Sequence, residues 1–279
     1  MTPDFSLGMG IGWRPEIALF IESRTDLGWI EIVAENVSPP YRIQSAVHQL
    51  RDRGMQVVPH GISLSLGGTA ALDRSRVKAL GALARELGSP LVSEHIAFVR
   101  GGGLEAGHLL PVPRTREQLK VLVRNIRDAQ SMLDVPLAVE NVAALLEWSD
   151  AEMDEATFLG AIIDQTGVML LLDLANVHAN DLNHGANSAE LVNNLPLERV
   201  AYVHVAGGEK RDGLYHDTHD TRTPPEVIAL VAALSAAHEV PGFMLERDGK
   251  FPGDAELHSE LDAIAIAMGQ GTRRRMAHV

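Results

Sequence analysis

Six residues able to bind a metal ion stand at the ends of six short apolar segments of this chain. They are His60 (QVVPH), His95 (LVSEH), Glu140 (PLAVE), Asp173 (MLLLD), His204 (VAYVH) and Glu246 (GFMLE). Successive members lie 31 to 45 residues apart, the length of one strand followed by one helix. In a barrel of parallel strands all these ends meet at one rim, which carries the active site. The pattern predicts a multinuclear metal centre, and we assign the six residues as catalytic as well as metal-ligating.

Electrostatics supports a metal centre more strongly than any single motif does. Glu140, Asp173, Glu246 and the loop residue Asp217 would face one mouth of the barrel. Two carboxylates about 5 Å apart repel each other by roughly 3 kcal/mol at an effective dielectric near 20. The chain has no matching set of Lys or Arg at its strand ends. Metal ions are therefore the simplest counter-charge, and His with carboxylate is a common ligand set for them.

Three loop residues extend the candidate centre to nine ligands. Asn176 lies three residues after Asp173, and the segment HDTH contributes Asp217 and His219. We predict three groups, of which the first two share one bridging carboxylate, Glu140. The first group is His60, His95 and Glu140; the second is Glu140, Asp173, His204 and Glu246; the third is Asn176, Asp217 and His219.

The order of elements predicts an α/β fold, a single (β/α)8 TIM barrel over residues 1–270 with a flexible basic tail at 271–279. Apolar segments predict strands at 7–12, 29–34, 56–60, 90–95, 136–140, 168–173, 199–205 and 242–246. Helical patterns lie at 15–24, 43–53, 73–87, 115–133, 154–166, 188–194, 224–238 and 254–268. Continuous apolar strands that alternate with helices are typical of parallel sheets buried on both faces. A doubly wound open sheet is the alternative, but the glycine-rich stretches lack the spacing of a phosphate-binding turn.

Several helix boundaries carry their own signals. Asp73, Thr115 and Asp154 are candidate N-caps, and Gly88 is placed to end the helix that Asp73 begins. The segments 60–68, 93–113, 140–150, 173–185 and 204–220 are expected to be long polar loops at the rim. Loops of this kind on a rigid scaffold usually carry function.

Composition excludes several classes of function. A net charge of −13 disfavours nucleic acid, because binding to a phosphate backbone depends on Lys and Arg. The chain has no cysteine, so a disulfide framework and thiolate ligands are excluded. It shows no run of 18 apolar residues and no secretory signal, and we expect a cytoplasmic protein without a membrane partner.

Eight short stretches of the chain resemble the sequences of one known family. These are the stretches HGISLSLG, LVSEHIAF, HLLPVP, LAVENV, LLLDLANVHAN, VHVAGG, DTH and LERD, which lie between residues 60 and 248. In this order they resemble the multinuclear non-heme iron-dependent oxidases, which include enzymes of methanobactin and thiaglutamate biosynthesis. The resemblance implies a xylose isomerase-like barrel and places the family's metal ligands on the nine positions above.

The resemblance also implies an activity, cofactors and partners. Enzymes of this family use two or three iron ions, in mixed Fe(II) and Fe(III) states, together with O2. They oxidatively modify cysteines of ribosomally synthesised precursor peptides, and many work with a partner protein that presents the peptide's leader. We therefore expect a Cys-containing precursor peptide as the substrate and a leader-binding protein as a partner.

Three other functions remain open from the sequence. An endonuclease IV-like phosphodiesterase with three zinc ions has a similar ligand pattern, although such nucleases generally carry His where this chain has Asn176. A sugar isomerase with two divalent metals is a second alternative, and it is weakened by the lack of a clear catalytic Lys at a strand end. A barrel that stores metal or binds peptide without catalysis is the third. His178 and Glu35 are further candidates for the neighbourhood of the metals.

Overall fold

The computed structural model describes residues 5–37 and 43–276, with side chains described through residue 269. Its strands are β1 (Gly8–Gly12), β2 (Trp29–Val33), β3 (Gln56–Gly61), β4 (Val92–His95), β5 (Ala97–Gly101), β6 (Leu104–Pro111), β7 (Leu137–Glu140), β8 (Met169–Asp173), β9 (Val200–Val205), β10 (Glu209–Arg211), β11 (Leu214–His216) and β12 (Gly242–Leu245). Its α-helices are α1 (Ala18–Ser23), α2 (Ser45–Asp52), α3 (Arg74–Leu87), α4 (Arg116–Gln130), α5 (Glu155–Thr166), α6 (Leu174–His184), α7 (Ser188–Asn194), α8 (Pro225–Ala237) and α9 (Asp254–Met276).

Eight parallel strands close into a barrel in the order β1-β12-β9-β8-β7-β4-β3-β2. These are the eight predicted strands, and the (β/α)8 fold is confirmed. The predicted boundary at residue 270 stays a prediction; α9 continues through Met276, and 277–279 lie outside the described residues.

The predicted helix signals are confirmed by the backbone hydrogen bonds. The side chains of Asp73, Thr115 and Asp154 accept hydrogen bonds from the first turns of α3, α4 and α5. Gly88 ends α3 with a φ of 65°, a left-handed conformation that costs glycine least.

Two of the expected rim loops are antiparallel hairpins, and a third is a helix. Segment 93–113 contains β5 and β6, and segment 204–220 contains β10 and β11. The prediction of a loop at 173–185 was wrong, because α6 begins directly after β8. The Asp173 side chain caps α6 by accepting a hydrogen bond from the Asn176 amide. Asn176 is thereby held near the rim, one turn after the strand.

Alternation along the strands builds two layers inside the barrel. Strand side chains alternate in direction, so residues two apart face the same side. An inward apolar layer therefore lies two residues before the rim residues and contains Val58, Ala138, Leu171, Tyr202 and Met244. Trp29 on β2 belongs to the same apolar cluster. Gly10 makes room for this layer, because a Cβ there would lie 2.4 Å from the Trp29 indole. The larger core fills the space between the outer face of the barrel and its helices.

Candidate metal centre

The first candidate group lies where β3, β4 and β7 end. His60 Nε2 and His95 Nε2 lie 3.3 Å and 3.2 Å from the same oxygen, Glu140 Oε2. The register of the sheet pairs His95 with Glu140 on adjacent strands. Two ligands bound about 2.1 Å from one ion lie roughly 3.0 to 3.4 Å apart at octahedral or tetrahedral angles. The spacing of these three atoms therefore fits one metal ion.

The second candidate group surrounds His204, deeper in the barrel. Its Nδ1 lies 3.0 Å from Glu246 Oε2 and 3.7 Å from both Asp173 Oδ2 and Glu140 Oε1. The register pairs Asp173 with His204 directly across adjacent strands. Because Glu140 directs one oxygen to each group, its position suits a bridge between them.

Unpaired polar atoms in these groups agree with the prediction that they bind cations. Among the described side chains, four buried atoms of the two groups have no hydrogen-bond partner. They are Glu140 Oε2, Asp173 Oδ2, His204 Nδ1 and Glu246 Oε2. A buried polar atom without a partner costs free energy, and a buried charge costs more. Metal ions bound in the two groups would satisfy these atoms, so the residues fit the ions that they are predicted to hold.

The third predicted group is divided between two sets of contacts. His219 Nε2 lies 2.5 Å from Asp217 Oδ2, while its Nδ1 lies 3.4 Å from Glu246 Oε2. The candidate group that contains His219 combines it with Asp173 and Glu246. Asn176 instead lies beside the first two groups, since its Nδ2 is 3.4 Å from Glu140 Oε1. The structure thus links the second and third predicted groups, and the assignment of nine ligands to individual ions stays a prediction.

His219 is held in an unusual backbone conformation. Its φ of 53° lies in the left-handed region, which is costly for a residue with a side chain. Both ring nitrogens face carboxylates, since Asp248 Oδ2 lies 3.1 Å from Nδ1. Strain of this kind clusters at functional sites, which agrees with a ligand role for His219.

The pKa values of the buried side chains are shifted by burial and by one another's charges. Burial raises the pKa of Glu140 and of Asp173, because the ionised carboxylate loses water. Burial opposes protonation of His95, but the Glu140 and Glu94 carboxylates outweigh it and raise the His95 pKa to about 9. For His60, burial and two neighbouring imidazoles hold the pKa well below its usual value. His60 is therefore neutral at pH 7, whereas His95 carries a proton that metal binding would have to displace.

The candidate centre opens into a cavity of about 430 Å³ at the rim of the barrel. Seven of the nine predicted ligands line it: His60, His95, Glu140, Asn176, Asp217, His219 and Glu246. The other two, Asp173 and His204, lie beneath them and are fully buried. Ile62, Val142 and Leu145 form an apolar wall, and Arg211 adds a positive charge at the mouth. The cavity thus offers an apolar entrance above a charged floor.

Several residues that support the ligands were missed in the sequence. Glu31 and Glu94 are buried carboxylates within strands β2 and β4, and each bonds a ligating histidine or its backbone. Glu94 also accepts hydrogen bonds from two rim amides, those of Ser63 and Leu64. Arg14 pairs with Glu246 and Asp248 at the edge of the cavity. A charged residue inside an apolar strand was the available signal for both glutamates.

Glu35 and His178, the two further candidates from the sequence, make contacts outside the candidate metal groups. Glu35 Oε1 accepts a hydrogen bond from the Ile62 amide and so shapes the rim beside His60. The His178 ring packs edge-on against Tyr215, with 5.4 Å between ring centroids. Neither belongs to a candidate metal group among the described residues.

Comparison with known proteins decides the family. The family described as "RiPP precursor modification enzyme MbnB/TglH/ChrH" matches residues 8–268. The chain belongs to this family. The family description names enzymes that modify the precursors of RiPPs, which are ribosomally synthesised and post-translationally modified peptides. The resemblance seen in the sequence is confirmed.

Relatives and solved structures extend the comparison. A UPF0276 protein of Streptomyces avermitilis is 52% identical over 276 residues, which are 96% of this chain and 56% of the relative. The chain thus spans little more than half the length of that relative. The structure titled "Structure of L-ribulose 3-epimerase" has a TM-score of 0.64 at 16% identity, with 97% of both chains covered. A xylose isomerase domain protein from Planctomyces limnophilus has a TM-score of 0.59 at 14% identity, with both chains fully covered. At these identities the two structures show the fold alone, a xylose isomerase-like barrel.

Among the described residues, no helix combines the length and the apolar character needed to cross a bilayer.

Proposed function

We propose that this protein is a multinuclear non-heme iron-dependent oxidase that uses O2 to modify cysteines of a ribosomally synthesised precursor peptide. The observation that carries the proposal is the first candidate group, His60, His95 and Glu140, buried at the base of a rim cavity. Two histidines and one carboxylate with open positions are the ligand set of non-heme Fe(II) oxygenases. Membership of a peptide-modifying family supplies the substrate class.

The nine predicted ligands would hold two or three iron ions, with Glu140 shared between two of them. Bound iron would supply the redox chemistry that connects a cysteine thiol to O2. O2 is the oxidant; each molecule accepts up to four electrons and four protons and becomes two molecules of water. The cysteine side chain is the source of those electrons.

The residues of the chain supply position, charge and exclusion of water. Glu94 fixes the β3–α3 rim segment through the Ser63 and Leu64 amides, and so holds the cavity floor beside His95. The His95 ring is oriented by its Nδ1, which donates to the Gly61 carbonyl at 3.2 Å and turns Nε2 toward Glu140. The apolar wall of Ile62, Val142 and Leu145 would shield a cysteine side chain from bulk water.

Access to the centre agrees with a peptide substrate. The cavity of about 430 Å³ is large enough for one or two side chains and not for a whole precursor. The remainder of the peptide would lie across the rim, and we propose that a partner protein binds its leader there. The hairpin β5–β6 borders the cavity through His108 and Leu109 and is one surface available for that contact.

Oxygen consumption tests the proposal directly. The protein is loaded with Fe(II) without oxygen and mixed with a Cys-bearing peptide encoded beside its gene. We expect O2 uptake and a change in peptide mass, and neither with a copy in which Ser replaces Cys. Asp173→Ala is expected to abolish both signals, while His48→Ala on α2, outside the cavity, serves as the matched control. Equal turnover in wild type and Asp173→Ala would show that the proposal is wrong.

The same preparation separates the alternatives. Cleavage of DNA with an abasic site by the zinc-loaded protein, without O2 uptake, would support the phosphodiesterase. Conversion of a ketose by the manganese-loaded protein would support the isomerase. Metal binding with none of these activities would support the non-catalytic barrel.

A further inference from the structure

A buried carboxylate lies beneath the candidate metal centre and belongs to none of the nine predicted ligands. Glu31 projects from β2 into the barrel interior and is 2% exposed. Its Oε2 lies 3.1 Å from His204 Nε2, the ring nitrogen opposite the one that faces Glu246. The same oxygen accepts a hydrogen bond from the Tyr202 hydroxyl at 2.6 Å.

The contacts continue from Glu31 to a second ligating histidine. The Tyr202 oxygen also lies 2.6 Å from Ser93 Oγ, and Ser93 Oγ lies 2.8 Å from His60 Nδ1. All five side chains are buried. They form one unbroken relay, in the order His60, Ser93, Tyr202, Glu31 and His204.

Counting protons gives the relay a single direction when Glu31 is ionised. A carboxylate only accepts, so the Tyr202 hydroxyl donates to Glu31. A tyrosine hydroxyl has one proton, so its oxygen then accepts from the Ser93 hydroxyl. Ser93 has used its own proton, and its oxygen accepts from His60 Nδ1–H. At the other end, His204 Nε2–H donates to Glu31.

This direction fixes which nitrogen of each imidazole is free. His60 keeps its lone pair on Nε2, which lies 3.3 Å from Glu140 Oε2. His204 keeps its lone pair on Nδ1, which faces Glu246, Asp173 and Glu140. Both lone pairs therefore point to the candidate metal groups, and the two histidines use opposite ring nitrogens.

We propose that Glu31 is a positioning residue that sets the tautomers of two metal-ligating histidines, one in each buried group, through a relay formed by Tyr202 and Ser93. The inference rests on the metal centre of the proposed function but requires neither iron nor oxidase activity. Glu31 lies within reach of His204 and Glu246 as a possible ligand. Its Oε2 is already engaged by two donors, so its role is to orient His204.

The barrel layers explain why the relay forms. Ser93 lies two residues before His95, and Tyr202 lies two residues before His204, so both point inward one layer below the ligands. The Tyr202 ring is held edge-on against Trp29, with 4.9 Å between centroids. Residues that hydrogen-bond a ligating imidazole typically change metal affinity 10- to 100-fold when removed.

Zinc binding tests the relay without any redox activity. Stepwise Zn²⁺ affinities would be measured by competition with a chromophoric chelator, for wild type, Tyr202→Phe and Glu31→Gln. We expect Tyr202→Phe to weaken one step about 10-fold or more, because it separates Ser93, the partner of His60, from Glu31 and leaves the Glu31–His204 contact in place. Glu31→Gln is expected to weaken two steps. Ser235→Ala is the matched control, since it removes a buried hydroxyl that has no partner among the described residues.

Nitrogen-15 NMR of the histidines in the zinc-loaded protein reads the tautomers themselves. We expect His60 to carry its proton on Nδ1 and His204 on Nε2, and the His60 proton to lose protection from exchange in Tyr202→Phe. The opposite tautomer at either histidine would overturn the proposal, as would zinc affinities in both relay variants equal to those of Ser235→Ala. If wild type binds no zinc, both the relay and the metal centre are wrong. If the relay results hold and O2 uptake is absent, only the oxidase is wrong.

Discussion

Glu140 is the residue whose replacement should affect the most metal ions at once. Its Oε2 faces His60 and His95, and its Oε1 faces His204 and Asn176. Glu140→Gln keeps the shape of the side chain and removes the charge that the two buried groups share. We therefore expect it to lose metal from two groups, whereas His95→Ala should lose metal from one.

The loss of stability can be calculated from the free energy with which a bound ion stabilises the folded state. An ion present at 100 times its Kd stabilises the folded state by about 2.7 kcal/mol. Two ions lost would remove about 5.4 kcal/mol of metal-dependent stability, and one ion lost about 2.7 kcal/mol. At about 2–4 °C per kcal/mol for a chain of this size, the metal-induced rise in Tm should fall by about 11–22 °C in Glu140→Gln and by about half as much in His95→Ala.

Calorimetry with and without a chelator measures this rise, and elemental analysis gives the metal content per chain. Glu86→Gln on the exposed face of α3 is the matched control and should behave as wild type. The bridging role of Glu140 is refuted if Glu140→Gln loses no more metal and no more stabilisation than His95→Ala. Each variant is compared with its own chelator-treated form, because Glu140→Gln also removes the carboxylate that raises the pKa of His95.

Three further predictions concern the scaffold. Asp154→Ala should lower the free energy of unfolding by about 1 kcal/mol at neutral pH, measured by urea unfolding. The hydrogen bond from the Thr157 amide holds the Asp154 pKa below its usual value. The difference between variant and wild type should therefore disappear as the pH falls through that lowered pKa. Glu260→Ala leaves Glu256, 2.6 Å away, as the carboxylate partner of the buried Arg247 guanidinium and removes the acceptor of the Thr223 amide. It should lower the free energy of unfolding by about 1.5–3 kcal/mol in the same assay; an unchanged free energy contradicts this. Gly10→Ala adds a methyl group to a filled barrel interior and should lower stability by about 1–3 kcal/mol, seen as a lower Tm.

The strands and their ends could be predicted because parallel barrel strands carry a strong local signal. Each is a continuous apolar segment buried on both faces, and a polar residue at its end stands out against it. His60, Glu140 and Glu246 were found in this way. The helix α6 was missed because its sequence, LANVHANDLNH, is rich in Asn, Asp and His, which favour helices weakly. Its capping by Asp173 and its packing stabilise it instead.

The sequence marks Glu31 as a charged residue inside an apolar strand, but it does not show which side chains Glu31 contacts. In a continuous apolar strand, alternation does not show which residues face the barrel interior and which face the helices. Its partners also come from distant parts of the chain, since Tyr202 lies 171 residues away and is itself 109 residues from Ser93. Only closure of the barrel brings these side chains within hydrogen-bond distance.

The sequence by itself determined the kinds of ligand, their order along the chain and the rim where they meet. Residue type and strand ends are local properties, so both can be read from the chain alone. The tertiary structure decided how the candidate ligands combine and which atom of each faces a candidate metal group, as with Nε2 of His60 and Nδ1 of His204. An imidazole's free nitrogen depends on the hydrogen-bond partner of the other nitrogen, and here neighbouring and opposite strands supply those partners.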